Sequence, residues 1–376
     1  MIQTSKRYGD LCRRRQNFLE RAWDAAELTI PFILPRHRTQ DHDLPTPFQA
    51  IGARGVNNLS AKLLLTLFPP NSPFFRFQID DFTLQELQAQ RAPVEEALNS
   101  MERAVMDEVE AKAMRVPLNE ALRHLIITGN ACIHVDKENA VRVFHLDQYV
   151  VRRDPQGKML EIIVHEKMSR QLYMDIFGKL PPKESGDSDK ADEKELNLYT
   201  IVKRKDKKIH VHQEVNDMKI PGTDSKFPLE KNPWLALRFS SIDGEDYGRG
   251  FVEEYLGDLR ALEGLSKAIL EGSSAAARAI FLVRPNGTTK LKTISQAPNL
   301  AVRQGTAEDV SVLQMEKFND FRVARETLET TERRLAAAFL LNQSVQRDAE
   351  RVTAEEIRFL ANELETTLGG IYSLLS

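Results

Sequence analysis

Residues 233–279 read PWLALRFSSIDGEDYGRGFVEEYLGDLRALEGLSKAILEGSSAAARA, and the stretch changes character twice. Trp234–Phe239 has the apolar content and the length of a strand. Gly244–Gly250 carries Gly244, Gly248 and Gly250 and reads as a flexible corner, with Gly248-Arg249-Gly250 as a hinge into a helix. From Phe251 to Ala279 no proline occurs. A helix of about 29 residues at 1.5 Å per residue would span about 43 Å. Small residues recur along it: Gly257, Gly264, Ala268, Gly272 and Ser273 to Ala277. Each glycine weakens a helix by about 1 kcal/mol relative to alanine. Their number therefore implies close approach of neighbouring backbones, so Gly257, Gly264 and Gly272 are candidate packing positions.

Working towards the C-terminus, Ile280–Met315 reads as a compact strand-and-loop insert. A second long helix follows over about Phe318–Leu341, with Leu328, Thr331, Leu335 and Phe339 on one face. Asn342–Val352 is a polar link. Thr353 and Glu356 have the spacing of a capping box that opens a third helix.

Towards the N-terminus, residues 5–30 read as a charged amphipathic helix ended near Pro31, with Arg13-Arg14-Arg15 on its solvated face. Phe48–Phe68 is a second helix and Phe74–Ile79 a strand. Val94, Leu98, Met101, Val105 and Val109 repeat at helical spacing up to about Met114. Pro117 opens another helix that Gly129 closes. Ala131–Val135, Val141–Phe144, Tyr149–Arg152 and Met159–Glu166 are short β-branched runs that read as one antiparallel meander. The Asp154–Gly157 reverse turn separates the last two. A short helix (Ser169–Phe177), a polar loop (178–195) and a hairpin (Asn197–Lys203 with Lys208–Val215) complete an α+β chain.

Composition excludes several classes. Lys+Arg 52 against Asp+Glu 55 gives a formal net charge of −3. Tight grip on nucleic acid needs a basic excess to neutralise phosphates. Cys12 and Cys132 are the two cysteines, far apart, which fits a reducing compartment and no disulfide framework. The densest apolar run, Leu63–Phe68, is too short to span a bilayer and stops at Pro69-Pro70. No G-x-x-x-x-G-K-[ST] and no G-x-S-x-G occurs. His210 and His212 share one strand face without further ligands at a supporting spacing, and read as a surface hairpin. Asp187, Asp189 and Asp192 lack the glycine and closing glutamate of a calcium loop. Glu253-Glu254 and Glu355-Glu356 are adjacent and point different ways around a helix. No catalytic site, metal or cofactor is expected.

The order of pieces is specific: a strand-rich region, the 233–279 segment, a compact insert, then RVARETLETTERRLAAAFLLNQSVQRDAERVTAEEIRFLANELETTLGGIYSLLS over residues 322–376. It resembles the portal (head-to-tail connector) proteins of short-tailed, podovirus-type bacteriophages, most specifically from Trp234 to Ser376. The resemblance implies a phage portal fold: a mixed helical and antiparallel-β wing (1–250), two stem helices (251–279 and 316–341) and a small clip between them (280–315). A tunnel loop (342–352) and the start of a crown helix (353–376) follow. It implies a homo-dodecameric ring at one capsid vertex around a channel for double-stranded DNA, used in packaging and ejection. Partners implied are the terminase large subunit, a tail adaptor, and the major capsid and scaffolding proteins, with no membrane. The place implied is the virion, after assembly in the host cytoplasm.

On that reading Gln343, Gln346, Arg347 and Arg351 face DNA from the tunnel loop. Arg284, Lys290, Lys292 and Arg303 form a basic docking surface on the clip, opposed there by Glu308 and Asp309. Arg347 and Arg351 could equally pair locally with Asp348 or Glu350. Family members continue past the point where this chain stops, and Ile371–Ser376 reads as a helix cut in mid-course, so an incomplete crown is expected. Two other readings stay open on the residues alone: a nucleic-acid-processing enzyme with a dispersed site, and a non-viral oligomeric scaffold.

Overall fold

A computed structural model of the chain describes residues 3–36, 44–70, 73–79, 91–138, 140–179, 195–276, 280–285, 306–313, 318–341 and 354–368. The chain divides into two units, Met1–Gly257 with Ala336–Ser376, and Asp258–Leu335.

In the first unit, helix α1 (Thr4–Glu27) buries Leu11, Arg15, Leu19, Ala22 and Ala26, a stripe stepping by three and four residues. Leu11 packs among Val150, Ile163 and Ile201. Arg15 belongs to this stripe, which corrects its reading as solvated. Its Nη1 donates to the carbonyl oxygens of Leu146, at 2.7 Å, and Tyr149. A buried guanidinium is tolerated there because backbone oxygens satisfy it. Arg13 and Arg14 stay exposed. Helix α2 (Ile51–Leu67) and helix α3 (Arg91–Ala111) follow. Helix α3 forms as its periodicity predicts, yet leaves Met101 58% and Val105 41% exposed. Phe74–Ile79 joins no ladder among the described residues, contrary to the strand expected there. Instead the rings of Phe68, Phe74, Phe75 and Phe77 stack edge to face in sequence.

Helix α4 (Arg115–Thr128) is the centre of this unit. Leu122, Leu125, Ile126 and Ile127 are buried, and the helix packs against α1, α2 and the strand that follows it. Strand β1 (Asn130–Val135) pairs with β2 (Val141–Phe144) on one side. On the other it pairs with β9 (Trp234–Arg238), with Cys132 opposite Ala236. The second sheet runs β3 (Tyr149–Arg153), β4 (Met159–Met168), β5 (Leu196–Lys205), β6 (Lys208–Val215) and β7 (Met218–Lys219), and β8 (Ser225–Pro228) also pairs with β6. The expected single meander is thus two sheets. The break falls at His145–Gln148, where the Gln148 side chain accepts from the His145 amide and closes a turn. The β5–β6 hairpin forms as read, with Asp206 and Lys207 both at positive φ. His212 is not a bare surface residue: it is 22% exposed and 3.0 Å from Glu214. Helix α5 (Arg170–Phe177) is capped by Ser169, whose hydroxyl accepts from the Leu172 amide.

The corner at Gly244–Gly250 is open at Gly244, where a Cβ would meet nothing within 4 Å, and close-packed at Gly248 and Gly250. Gly129 ends α4 at φ +75°, and a Cβ there would lie 2.3 Å from the Arg249 carbonyl carbon and 2.5 Å from the Gly250 nitrogen. A Cβ on Gly250 would lie 2.5 Å from the Ile127 oxygen. Backbone touches backbone here, which no other residue type permits. Asn130 then clasps Gly248, accepting from its amide at 2.7 Å and donating to its carbonyl at 3.0 Å.

Beyond the corner, the expected 251–279 helix is broken. Helix α6 is one turn, Phe251–Glu254; Tyr255 leaves helical geometry at φ −107° and ψ 11°; α7 runs Leu256–Ala276. The break is held by the Tyr255 ring, which packs on Phe251 at 5.1 Å and Phe339 at 5.9 Å. In the second unit, most of α7 is joined by a hairpin of β10 (Ile280–Val283) and β11 (Val310–Leu313) and by the greater part of α8 (Phe318–Ala338). Arg334 pairs with Asp258 at 3.2 Å. Helix α9 (Ala354–Leu368) returns to the first unit.

Gly129→Ala should destabilise the chain by at least about 2 kcal/mol, since it adds an unfavourable left-handed side chain to a backbone clash. Urea denaturation reads this directly. An unchanged midpoint would mean that the Gly129–Gly250 contact is not close-packed in solution.

Candidate functional site

The two points where the chain crosses between units both lie next to one aromatic junction in the first unit. Phe339, at the end of α8, meets Phe251 edge to face at 5.5 Å. Helix α2 comes close enough to receive it because residue 55 is glycine: a Cβ there would lie 2.5 Å from the Phe339 ring. Leu340 then adopts φ +57°, a left-handed helix end without glycine. The carbonyls exposed by that end are satisfied by α2. Asn58 donates to Phe339 and Leu340, both at 3.0 Å, and the Lys62 ammonium donates to Leu340 at 3.2 Å.

Lys62 also pairs with Glu363 of α9 at 3.2 Å, with side chains only 8% and 11% exposed. One lysine thus grips both flanks of residues 342–353. Leu364 and Leu368 are buried on the same helix.

The corner that launches α6 is held as firmly. Tyr247 is buried and its hydroxyl accepts from the Val151 amide at 3.1 Å; burial raises its phenol above the usual range. Arg153 takes the Asp246 side chain on its amide and donates from its guanidinium to the carbonyls of Asp246, Gly157 and Ala236. Arg249 bridges Glu245 at 2.8 Å and Glu253 at 2.9 Å, and Arg21 of α1 reaches the same Glu253 oxygen at 3.2 Å. Burial raises the Glu253 carboxyl above its ordinary value. Burial likewise pushes the Cys132 thiol up to about 12, so it is a packed, unreactive sulfur.

The residues singled out by sequence are not brought together. Gly257 and Gly264 lie on α7, and a Cβ at either would meet nothing within 4 Å. Gly272 is on the same helix. Arg284 is exposed just after β10, where the β10–β11 connection begins, its amide donating to the Asp309 carbonyl at 2.9 Å. Lys290, Lys292 and Arg303, the loop residues Gln343, Gln346, Arg347 and Arg351, the capping-box Thr353, Asp187, Asp189, Asp192 and the chain end 371–376 lie outside the described residues. Sequence reading missed Asn58, Lys62 and Glu363. Their partners lie 278 to 301 positions away, a separation no local pattern encodes. Among the described residues no helix is long and apolar enough to cross a membrane.

Both crossings between the units are thus anchored in the first unit, one by packed aromatic rings and one by buried polar contacts. Large apolar side chains stay uncovered on α7 and α8, Leu270 58% and Val323 61% exposed. The family described as "Bacteriophage head to tail connecting protein" matches residues 3–376. The chain is 39% identical to the portal protein of Enterobacteria phage T3 and 39% identical to that of Escherichia phage T7. Each match covers 98% of this chain and 70% of the relative. A chain from a structure titled "Virion of native gene transfer agent (GTA) particle" is 12% identical, with a TM-score of 0.36 over 86% of this chain and 77% of that one. The chain belongs to the bacteriophage head-to-tail connecting proteins, as a podovirus portal protein. Its role is that of a structural connector between phage head and tail, and it is a component of the virion.

Lys62→Met should cost about 3 kcal/mol, because it strands the Glu363 carboxylate in a nearly buried site. The double variant Lys62→Met/Glu363→Gln should regain part of that loss in chemical denaturation. A double variant no more stable than the single one would show that the two residues are not coupled.

Proposed function

We propose that this chain is one subunit of a dodecameric ring that encloses the channel for double-stranded DNA during packaging and ejection. Residues 1–250 form the outer wing, and 251–279, helical again over Leu256–Ala276, the first stem segment. Residues 280–315 form the clip and 316–341 the second stem. Residues 342–352 form the tunnel loop and 353–376 the beginning of the crown. The observation that carries this reading is the anchoring of both flanks of 342–352 by Lys62, with Leu340 on one side and Glu363 on the other. A segment fixed at its ends and polar in its middle is suited to gating.

Charge supports the same reading. Between Glu316 and Glu365 there are eight Lys and Arg against eleven Asp and Glu. Such a surface releases few counterions and holds DNA weakly, as a conduit must if a motor is to push DNA through it. Gln343, Gln346, Arg347 and Arg351 are the residues proposed to meet passing phosphates, individually weakly and subject to screening by salt.

The open face at Gly257 and Gly264 supports packing of α7 against neighbouring subunits, with Gly272 further along the same helix. Arg284, Lys290, Lys292 and Arg303 give the clip a local basic excess suited to steering an acidic partner. The partners proposed for the clip are the terminase large subunit and afterwards the tail adaptor. The major capsid and scaffolding proteins meet the wing, during assembly in the host cytoplasm. We assign the chain no catalytic activity of its own.

Deleting Gln346–Glu350 tests the channel reading. Negative-stain images should show rings with a central hole for both the parent and the deletion, while particles carrying the deletion lose packaged DNA. Loss of ring formation in the deletion would make the segment structural, and full retention of DNA would remove its gating role.

A further inference from the structure

Three residues that no sequence pattern joins come together beside a surface cavity in the first unit. Glu120 and His124 are one turn apart on α4, so they share a face. His145 lies in the turn after β2. A ligand atom of each lies within 4.8 Å of the other two. His124 is fully buried, with its Nε2 4.0 Å from a Glu120 oxygen. The two imidazoles sit edge to face with centroids 4.7 Å apart.

His145 is the most informative of the three. Its Nδ1 lies 2.7 Å from the carbonyl oxygen of Ile33. A carbonyl can only accept, so Nδ1 carries a hydrogen, and Nε2 is the ring nitrogen left to face a metal. Backbone carbonyls fix metal-binding histidines in this way, setting both tautomer and ring direction. The turn itself is rigid: the His145 amide donates to Gln148 Oε1 at 3.0 Å and the Gln148 amide donates back to the His145 carbonyl at 2.9 Å. The cavity, about 420 Å³, opens beside the cluster and gives an ion a way in.

We propose that Glu120, His124 and His145 bind a divalent transition-metal ion of the zinc class, stapling helix α4 to the turn after β2. Two imidazoles and one carboxylate form a donor set that suits zinc. Zinc bonds of about 2.0–2.2 Å place tetrahedral donors roughly 3.3 Å apart. The Glu120 side chain, 51% exposed, has room to close on the pair, and the two imidazoles, whose donor atoms lie within 4.8 Å of each other, close by turning about their side-chain bonds. All three residues line the cavity, which has room for a water to complete the sphere. Arg115 and Arg123 also line the cavity and oppose a dication, so the site depends on its three donors and not on the surrounding field. The competing arrangement is a plain edge-to-face histidine pair, which would show no metal affinity at all.

The test uses the untagged full chain, stripped with chelator and titrated with Zn²⁺ by calorimetry and with Co²⁺ by absorption. One equivalent per chain should bind, with cobalt giving the visible bands of a tetrahedral N/O site and with a rise in melting temperature. Glu120→Gln, at an exposed position, should keep the fold and weaken Zn²⁺ at least tenfold. His145→Phe keeps an aromatic ring against His124 and should abolish binding. If His145→Phe does not fold, Glu120→Gln decides alone. No uptake by the parent chain, or equal affinity in parent and Glu120→Gln, would overturn the site.

Discussion

The contact on which the rest depends is backbone against backbone, where Gly129 at the end of α4 lies on Arg249 and Gly250. Side-chain contacts can slide or exchange rotamers, whereas two peptide planes held this close have one arrangement. That fixes where the chain enters α6 relative to the buried helix α4. Asn130 extends the constraint to β1, and Tyr247 and Arg153 extend it to the second sheet. From the fixed corner the chain reaches Phe251 and Tyr255 within one turn of helix. Both rings meet Phe339 there, so the departure and the return of the long excursion are set by one cluster.

The second clamp works by different physics. At Leu340 a helix ends in left-handed geometry without glycine, a strained conformation that persists only where its surroundings hold it. Asn58 and Lys62 do so by saturating the last carbonyls. Glu363 compensates the ammonium charge that this places in a nearly dry site. For a connector between head and tail these clamps matter. Both flanks of 342–353 are held within the first unit, Leu340 through Asn58 and Lys62, and Glu363 through Lys62.

What was legible in the sequence was local. The amphipathic pattern of α1, the apolar face of α8, the helix over Phe48–Phe68, the Asp154–Gly157 turn, the β5–β6 hairpin and the close of α4 at Gly129 each follow from neighbours within a few residues. What was not legible was non-local. The partition of the strands into two sheets depends on β9 pairing with β1 across about a hundred residues of chain. Arg15 sits in a run of three arginines, and only the carbonyls of Leu146 and Tyr149 reveal that it turns inward. The glycines of the corner read as freedom, yet their absent side chains serve close packing. Likewise Glu120, His124 and His145 are 4 and 21 residues apart in succession and fit no metal motif. The clip and tunnel-loop residues came from a resemblance, and the described structure touches them only at Arg284.

Hydrogen exchange on the assembled protein tests the corner most directly. The amides of Gly248, Arg249 and Glu253 donate to Asn130, Ser240 and Gly250 respectively. If the Gly129–Gly250 contact governs the fold, these amides should exchange only with opening of the whole first unit, as slowly as those of β4 and β5. Exchange within seconds, at the rate of an exposed loop, would contradict it and restore the corner to a hinge.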